Sequence, residues 1–185
     1  MEIGTIRNAL YRVPQRVEVA GAGTAAVAAL LTPELELLFI RRAQHPRDPW
    51  SGHLSFPGGR QDDSDPDALA TALRETWEEV GLEVREDWLL GELDPVRTLG
   101  VQPPLVIRPF VFAMPDVPRL ELNNEVESVH YLGLDALLAG HGRGTMVWRR
   151  RGLDLTLPRV DFDGVRLWGL TLQMVDDLLG RLRAG

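Results

Sequence analysis

Apolar residues recur along this chain with two different periods. The runs "TAAVAALL" (24–31) and "ELELLFIRR" (34–42) are short, apolar and parted by Thr32 and Pro33, which predicts two strands joined by a turn. In the second run Leu35, Leu37 and Phe39 share one side, with Glu34 and Glu36 opposite. Further on, Leu69, Ala72, Leu73, Thr76, Trp77 and Val80 repeat at helical spacing and predict one apolar helix face. Asp65 is placed to cap that helix, Pro66 suits its first position, and Gly81 suits its end. Glu75, Glu78 and Glu79 fall on the other side, within an arc of about 100°. Strands are expected near "DWLLGELD", "LVIRPFVFAM", "VESVHYL", "TMVWRR" and "LDLTLP". Short helices are expected at "IRNALYRV" and "LDALLAG", and an amphipathic one at "LWGLTLQMVDDLLGRLR". The picture is an α/β fold, a mixed sheet covered by helices, in a single domain over 1–185.

Composition narrows the function classes. The net charge of -7 argues against nucleic acid as a partner. The chain has no cysteine, which removes disulfides, thiolate metal sites and thiol nucleophiles. No apolar run reaches the roughly 18 residues of a membrane span, and "MEIGTIRNALYRVPQR" lacks a signal-peptide pattern. A cytoplasmic protein is the expectation. All 20 basic side chains are Arg, so any phosphate would be held by guanidinium forks.

Three carboxylates crowded onto "ALRETWEEVGL" (72–82) repel one another mildly on a bare surface. A hard divalent cation such as Mg²⁺ or Mn²⁺ reverses the sign, since it binds carboxylates and shares its other positions with water and phosphate. The glycine turn Gly58–Gly59 just upstream lets backbone come close to such an ion or its ligand, and the Gly59 carbonyl is a further candidate ligand. Arg74 is placed to orient a neighbouring carboxylate.

The run from Gly59 to Leu82 resembles the Nudix box, G-x5-E-x7-R-E-U-x-E-E-x-G-U, with U a bulky aliphatic residue. Its right half reads Arg74-Glu75-Thr76-Trp77-Glu78-Glu79-Val80-Gly81-Leu82. The left half departs: fourteen residues separate Gly59 from Arg74 where the pattern has thirteen, and the place of the isolated Glu falls on Pro66, between Asp65 and Asp67. The resemblance implies an α/β/α sandwich with Glu75, Glu78 and Glu79 as ligands of Mg²⁺ or Mn²⁺. It also implies hydrolysis of a nucleoside diphosphate linked to a further moiety.

Upstream, "LFIRRAQHPRDPWSGHLSFPGG" is similar to the signature of the coenzyme A pyrophosphatase branch, matching at Arg42-Ala43, Arg47, Gly52 and Phe56-Pro57-Gly58-Gly59, with one extra residue near Trp50. "NNEVESVHYLGLDALL" and "RLWGLTLQMVDDLL" resemble later segments of that branch. What this implies is a small-molecule nucleotide substrate, coenzyme A or acyl-CoA, cleaved to 3',5'-ADP and 4'-phosphopantetheine. Arg41, Arg42, Arg47, Trp50 and Gly58 are the candidate substrate contacts, and Glu75 or Glu125 the general base. Two other readings stay open: hydrolysis of ADP-ribose or a dinucleoside polyphosphate, and a non-catalytic binding module. The Leu-rich C-terminal helix has two options, its own core or a second copy in a homodimer. Residues 1–22 read as an N-terminal extension to the domain.

Overall fold

The computed structural model describes residues 1–11, 21–46, 50–98, 103–150 and 152–184, with the backbone alone at 150. Two strands organise it, β1 (Gly23–Leu31) and β2 (Glu36–Arg42). Alternate residues of each face opposite ways, and both faces are apolar. Val27, Ala29, Leu31, Leu37 and Phe39 enter one core, while Ala26, Ala28, Leu30, Leu38 and Ile40 enter a second. Strands buried on both faces read as continuous apolar runs, as these do.

The turn between them falls at Pro33–Glu34, as expected, but β2 begins later than the sequence predicts. Leu35 has φ of 60°, outside the strand, and its N–H donates to the Thr32 carbonyl at 2.9 Å. The alternation therefore starts at Glu36, and the two glutamates do not define a polar face.

The sheet continues with β3 (Leu54–Ser55), β4 (Gly58–Arg60), β5 (Leu89–Glu92), β6 (Val96–Arg97), β7 (Leu105–Ala113) and β8 (Val126–Gly133). It is mixed: β1 runs parallel to β7 and antiparallel to β2 and β4, and β8 pairs antiparallel with the far edge of β2. Gly58 and Gly59 thus belong to a strand, opposite Val27 and Ala26, rather than to a turn closing one.

Helix α2 (Ala68–Val80) covers the face built on Ala26 and Ala28. The opposite face is covered by α1 (Ile3–Leu10) and by α4 (Gly169–Ala184), with α3 (Leu134–Leu138) beside them. This is the expected α/β/α sandwich. Ile6 and Leu10 are buried, so the start of the 1–22 extension belongs to the core. Leu172, Met174, Val175, Leu178 and Leu179 of α4 are buried within the same chain, which answers where that helix packs. A second sheet, β9 (Arg143–Arg150), β10 (Leu153–Phe162) and β11 (Val165–Trp168), is antiparallel and packs Val160 and Leu167 on the α4 side. Among the described residues no helix is long and apolar enough to cross a membrane.

Candidate active site

The start of α2 is built differently from its sequence signals. Asp67, not Asp65, is the N-cap: its Oδ1 accepts from the Ala70 N–H at 2.9 Å. Pro66 accordingly lies before the helix. Gly81 closes it in the left-handed region at φ 68°, as expected. Released from capping, Asp65 accepts a two-pronged bond from Arg74, Nε to Oδ1 and Nη2 to Oδ2, each at 2.9 Å. Arg74 also donates to the Arg60 carbonyl at 3.1 Å, and meets Glu75 at 2.9 Å and Glu78 at 3.2 Å. The guanidinium holds the Asp65 carboxyl far below the usual carboxylate range. Sequence reasoning missed Asp65 as a site residue. The signal was there in the extra loop residue, which moves the acid one place from where the box pattern puts its isolated Glu.

The carboxylates of α2 do not share one solvated face. Glu78 is exposed, Glu75 half-buried, and Glu79 only 3% exposed. Trp77, expected on the apolar side, is 56% exposed. The reason lies in β4: the Gly58 N–H points to the helix and donates to Glu79 Oε2 at 2.8 Å, drawing that carboxylate inward. Arg42 Nη1 stands 3.8 Å from Glu79 Oε1. Burial pushes the Glu79 carboxyl up to about 7; the Gly58 N–H and Arg42 pull it back, and Glu75 and Glu125 add to the rise. Burial likewise raises Glu75, against the pull of Arg74, with Glu78 and Glu125 adding repulsion.

Both glycines of β4 are needed for this approach. Gly58 has φ of 147°, and a Cβ there would overlap the Ala26 carbonyl and the Val27 backbone. A Cβ on Gly59 would instead overlap the Glu75 carboxylate. Glu125 is exposed in the turn before β8, and its charge reaches both Glu75 and Glu79. Its segment is stitched to the end of α2 by Glu121 N–H to Val80 O at 2.9 Å and Asn123 N–H to Glu79 O at 3.0 Å.

Among the described residues no three His, Asp or Glu side chains are gathered into a ready-made metal cage. Arg74 holds Glu75 and Glu78, and Glu79 turns toward Gly58. The donor chemistry nevertheless fits a hard divalent cation. Glu75 and Glu79 are carboxylates with raised pKa and mutual repulsion, a strain that positive charge relieves.

The alternation at the end of β2 separates two of the candidate arginines. Arg42 follows the Leu38–Ile40 side toward α2, whereas Arg41 follows Leu37 and Phe39 to the other face. A register shift of the β2–β8 ladder falls between the two. Arg41 meets Glu127 at 3.3 Å and the Gly52 carbonyl at 3.4 Å. Of these two, Arg42 is therefore brought to the carboxylates of α2, and Arg41 is not. Trp50 is half-buried and its carbonyl accepts from the His53 N–H at 3.0 Å. Arg47 lies outside the described residues. His45 and Ser51 close the loop by reciprocal bonds of 2.9 Å, and the His53 ring meets Trp168 edge-on.

Comparison with known proteins bears on the family and the fold. The NUDIX domain family matches residues 22–151. An uncharacterized protein of Schizosaccharomyces pombe is 36% identical over 66% of this chain, and the match spans 40% of that protein's length. Mitochondrial coenzyme A diphosphatase NUDT8 of Mus musculus is 34% identical over 86% of this chain and 80% of its own. Among solved structures, the MutT protein of Methanosarcina mazei Go1 superposes with a TM-score of 0.58 at 16% identity, covering 90% of this chain and 97% of that one. With the fold, the Arg-Glu-Glu-Glu helix and the glycine strand all in place, the chain belongs to the Nudix hydrolase family.

Proposed function

We propose that this protein hydrolyses the diphosphate bridge of coenzyme A or its acyl esters, giving 3',5'-ADP and 4'-phosphopantetheine, within a single domain over 1–185. The observation that carries the reading is the meeting of two sequence motifs on one carboxylate. Glu79, from the catalytic helix, is bonded to Gly58 at 2.8 Å and faces Arg42 at 3.8 Å, both from the upstream coenzyme A-like signature. The 34% identity to a mouse coenzyme A diphosphatase over most of both chains supports the same substrate.

Glu75, Glu78 and Glu79, with the Gly59 carbonyl, are the residues that would hold Mg²⁺ or Mn²⁺. Such an ion, when bound, neutralises phosphate oxygens and makes a water more acidic. The chain's own contribution is positioning. Arg74 fixes Glu75 and Glu78 against Asp65, and Arg42 presents a guanidinium beside Glu79 for a diphosphate oxygen. Gly58 lets the backbone approach the same point, with Trp50 and Arg47 contacting the substrate from the loop. Glu75 or Glu125 takes the proton of the attacking water.

The test is product release from coenzyme A, acetyl-CoA, ADP-ribose, NADH and a dinucleoside polyphosphate, with Mg²⁺ and Mn²⁺ compared. Preference for the coenzyme A esters is the expected result. Preference for another substrate would discard the reading of the loop, and silence with both metals would point to the binding module or to a substrate outside the panel.

A second result is expected from Gly59→Ala. Its new methyl meets the end of the Glu75 side chain rather than backbone, so the fold gives way cheaply and the site does not. Turnover should fall by about 10–100-fold, as for a catalytic group displaced by an ångström, while the melting temperature moves by only about 2 °C. Unchanged turnover would show that the position of Glu75 does not matter.

A further inference from the structure

The file of β2 that carries Leu37 and Phe39 ends in Arg41, on the face of the sheet away from Glu79. There Arg41, Gly52 and His53 meet Gly164, Arg166 and Trp168 of the β10–β11 hairpin around a hollow of about 210 Å³. Pockets that enclose a whole drug-sized ligand run to about 300–1,000 Å³. This one therefore suits one end of a longer molecule.

Its chemistry is that of a phosphorylated ring. The two guanidiniums come from different sheets. Each is aimed by a carboxylate: Arg41 by Glu127 at 3.3 Å, and Arg166 by Asp161, which accepts its Nε–H at 2.8 Å. A guanidinium carries five N–H donors, so these anchors orient it and leave donors for a phosphate. Trp168 offers an indole, held edge-on by His53 at 4.8 Å and by Trp148 at 5.7 Å between ring centres. The wall is fixed in place because Thr171, at the start of α4, donates its hydroxyl to the Leu54 carbonyl at 3.1 Å.

The hollow is also joined to the catalytic face by a short path. Arg41 and Arg42 are neighbours with Cα atoms about 3.8 Å apart. Gly52 binds both, its N–H donating to the Arg42 carbonyl at 2.9 Å and its carbonyl accepting from Arg41. A ligand reaching from Arg42 to Arg41 need only pass the end of one strand.

We propose that this hollow is the subsite for the phosphomonoester-bearing nucleoside end of the substrate, with Arg41 and Arg166 on the phosphomonoester and Trp168 against the base. The assignment rests on the coenzyme A reading, whose substrate carries a 3'-phosphate beside its adenine. The two adjacent arginines then differ in role. Arg42 serves the bond that breaks, and Arg41 serves the far end.

The experiment compares wild type, Arg166→Gln and Arg41→Gln on coenzyme A and on 3'-dephospho-coenzyme A, with thermal melts to establish folding. Loss of a charge-assisted phosphate contact should raise KM for coenzyme A by about tenfold in either variant, with KM for the dephospho form moving by less than about twofold. Calorimetry should show about tenfold weaker binding of 3',5'-ADP to the variants and little change for 5'-AMP. Equal effects on both substrates, or none on coenzyme A, would overturn the subsite and leave the proposed activity standing. A wild type that cleaves other diphosphates but not coenzyme A would overturn both.

Discussion

Glu79→Gln is expected to lower turnover by about 10³ while making the metal-free protein more stable at alkaline pH. Gln keeps the shape and an oxygen for the Gly58 N–H, so the 2.8 Å bond survives and the fold with it. What disappears is the charge, and with it the carboxylate that meets both motifs. The stability effect follows from linkage. Glu79 titrates near 4.5 in an unfolded chain and is pushed to about 7 in the fold by burial. The folded protein thus binds this proton more tightly than the unfolded one. The contribution is fully present below pH 4.5 and is lost as pH rises through 7. Gln does not titrate, so the variant escapes that loss. Urea unfolding in chelator should show little advantage for the variant at pH 4.5 and about 2–3 kcal/mol at pH 8. Near-normal turnover would remove Glu79 from the machinery. A pH-independent stability difference would mean that its carboxylate is not desolvated.

Arg181→Ala should produce the largest loss of stability, about 3 kcal/mol, read as a drop in melting temperature of roughly 6–12 °C. The side chain of Arg181 is 5% exposed and lies on the buried side of α4. It donates to both oxygens of Asp177, to Asp94 and to the Glu92 carbonyl. Asp177 in turn accepts from the Asp94 N–H at 2.8 Å, so the cluster ties α4 to the segment after β5. Removing the guanidinium leaves two partly hydrated acids facing each other, and that sets the figure at the lower end for a broken buried pair. The exposed pair Arg149–Asp154, whose arginine is 82% exposed, supplies the contrast. There Arg149→Ala should change stability by less than about 1 kcal/mol. Equal effects at the two arginines would contradict the burial of Arg181.

Much of the fold was legible because long elements carry a period. β1, β2, β7, β8 and α2 announce themselves through runs of seven or more residues. The two-residue β6 has no period to read, and β11 was absorbed into the C-terminal helix because "LWGLTL" is apolar without a break. The break is conformational: Gly169, the first residue of α4, has φ of 66° directly after Trp168. The site was legible as a set of residue types and misread as a surface. Helical spacing puts Glu79 among the solvated residues, and only the neighbouring strand, with a glycine N–H aimed at it, brings it inside. Arg41 and Arg42 look equivalent in a sequence, yet a strand of period two sends them to opposite faces. Asp65 was hidden by a capping role that Asp67, two residues on, fills instead.

The absence of lysine looks at first like a bias of composition alone. At position 74 it is a matter of valence. Arg74 meets five acceptors, the two oxygens of Asp65, the Arg60 carbonyl, Glu75 and Glu78, and a guanidinium has five N–H groups to give. An ammonium has three, all on one atom, and would leave part of that ring of oxygens unanswered. Whatever set the codon usage of the rest of the chain, the donor count at this one position admits no lysine.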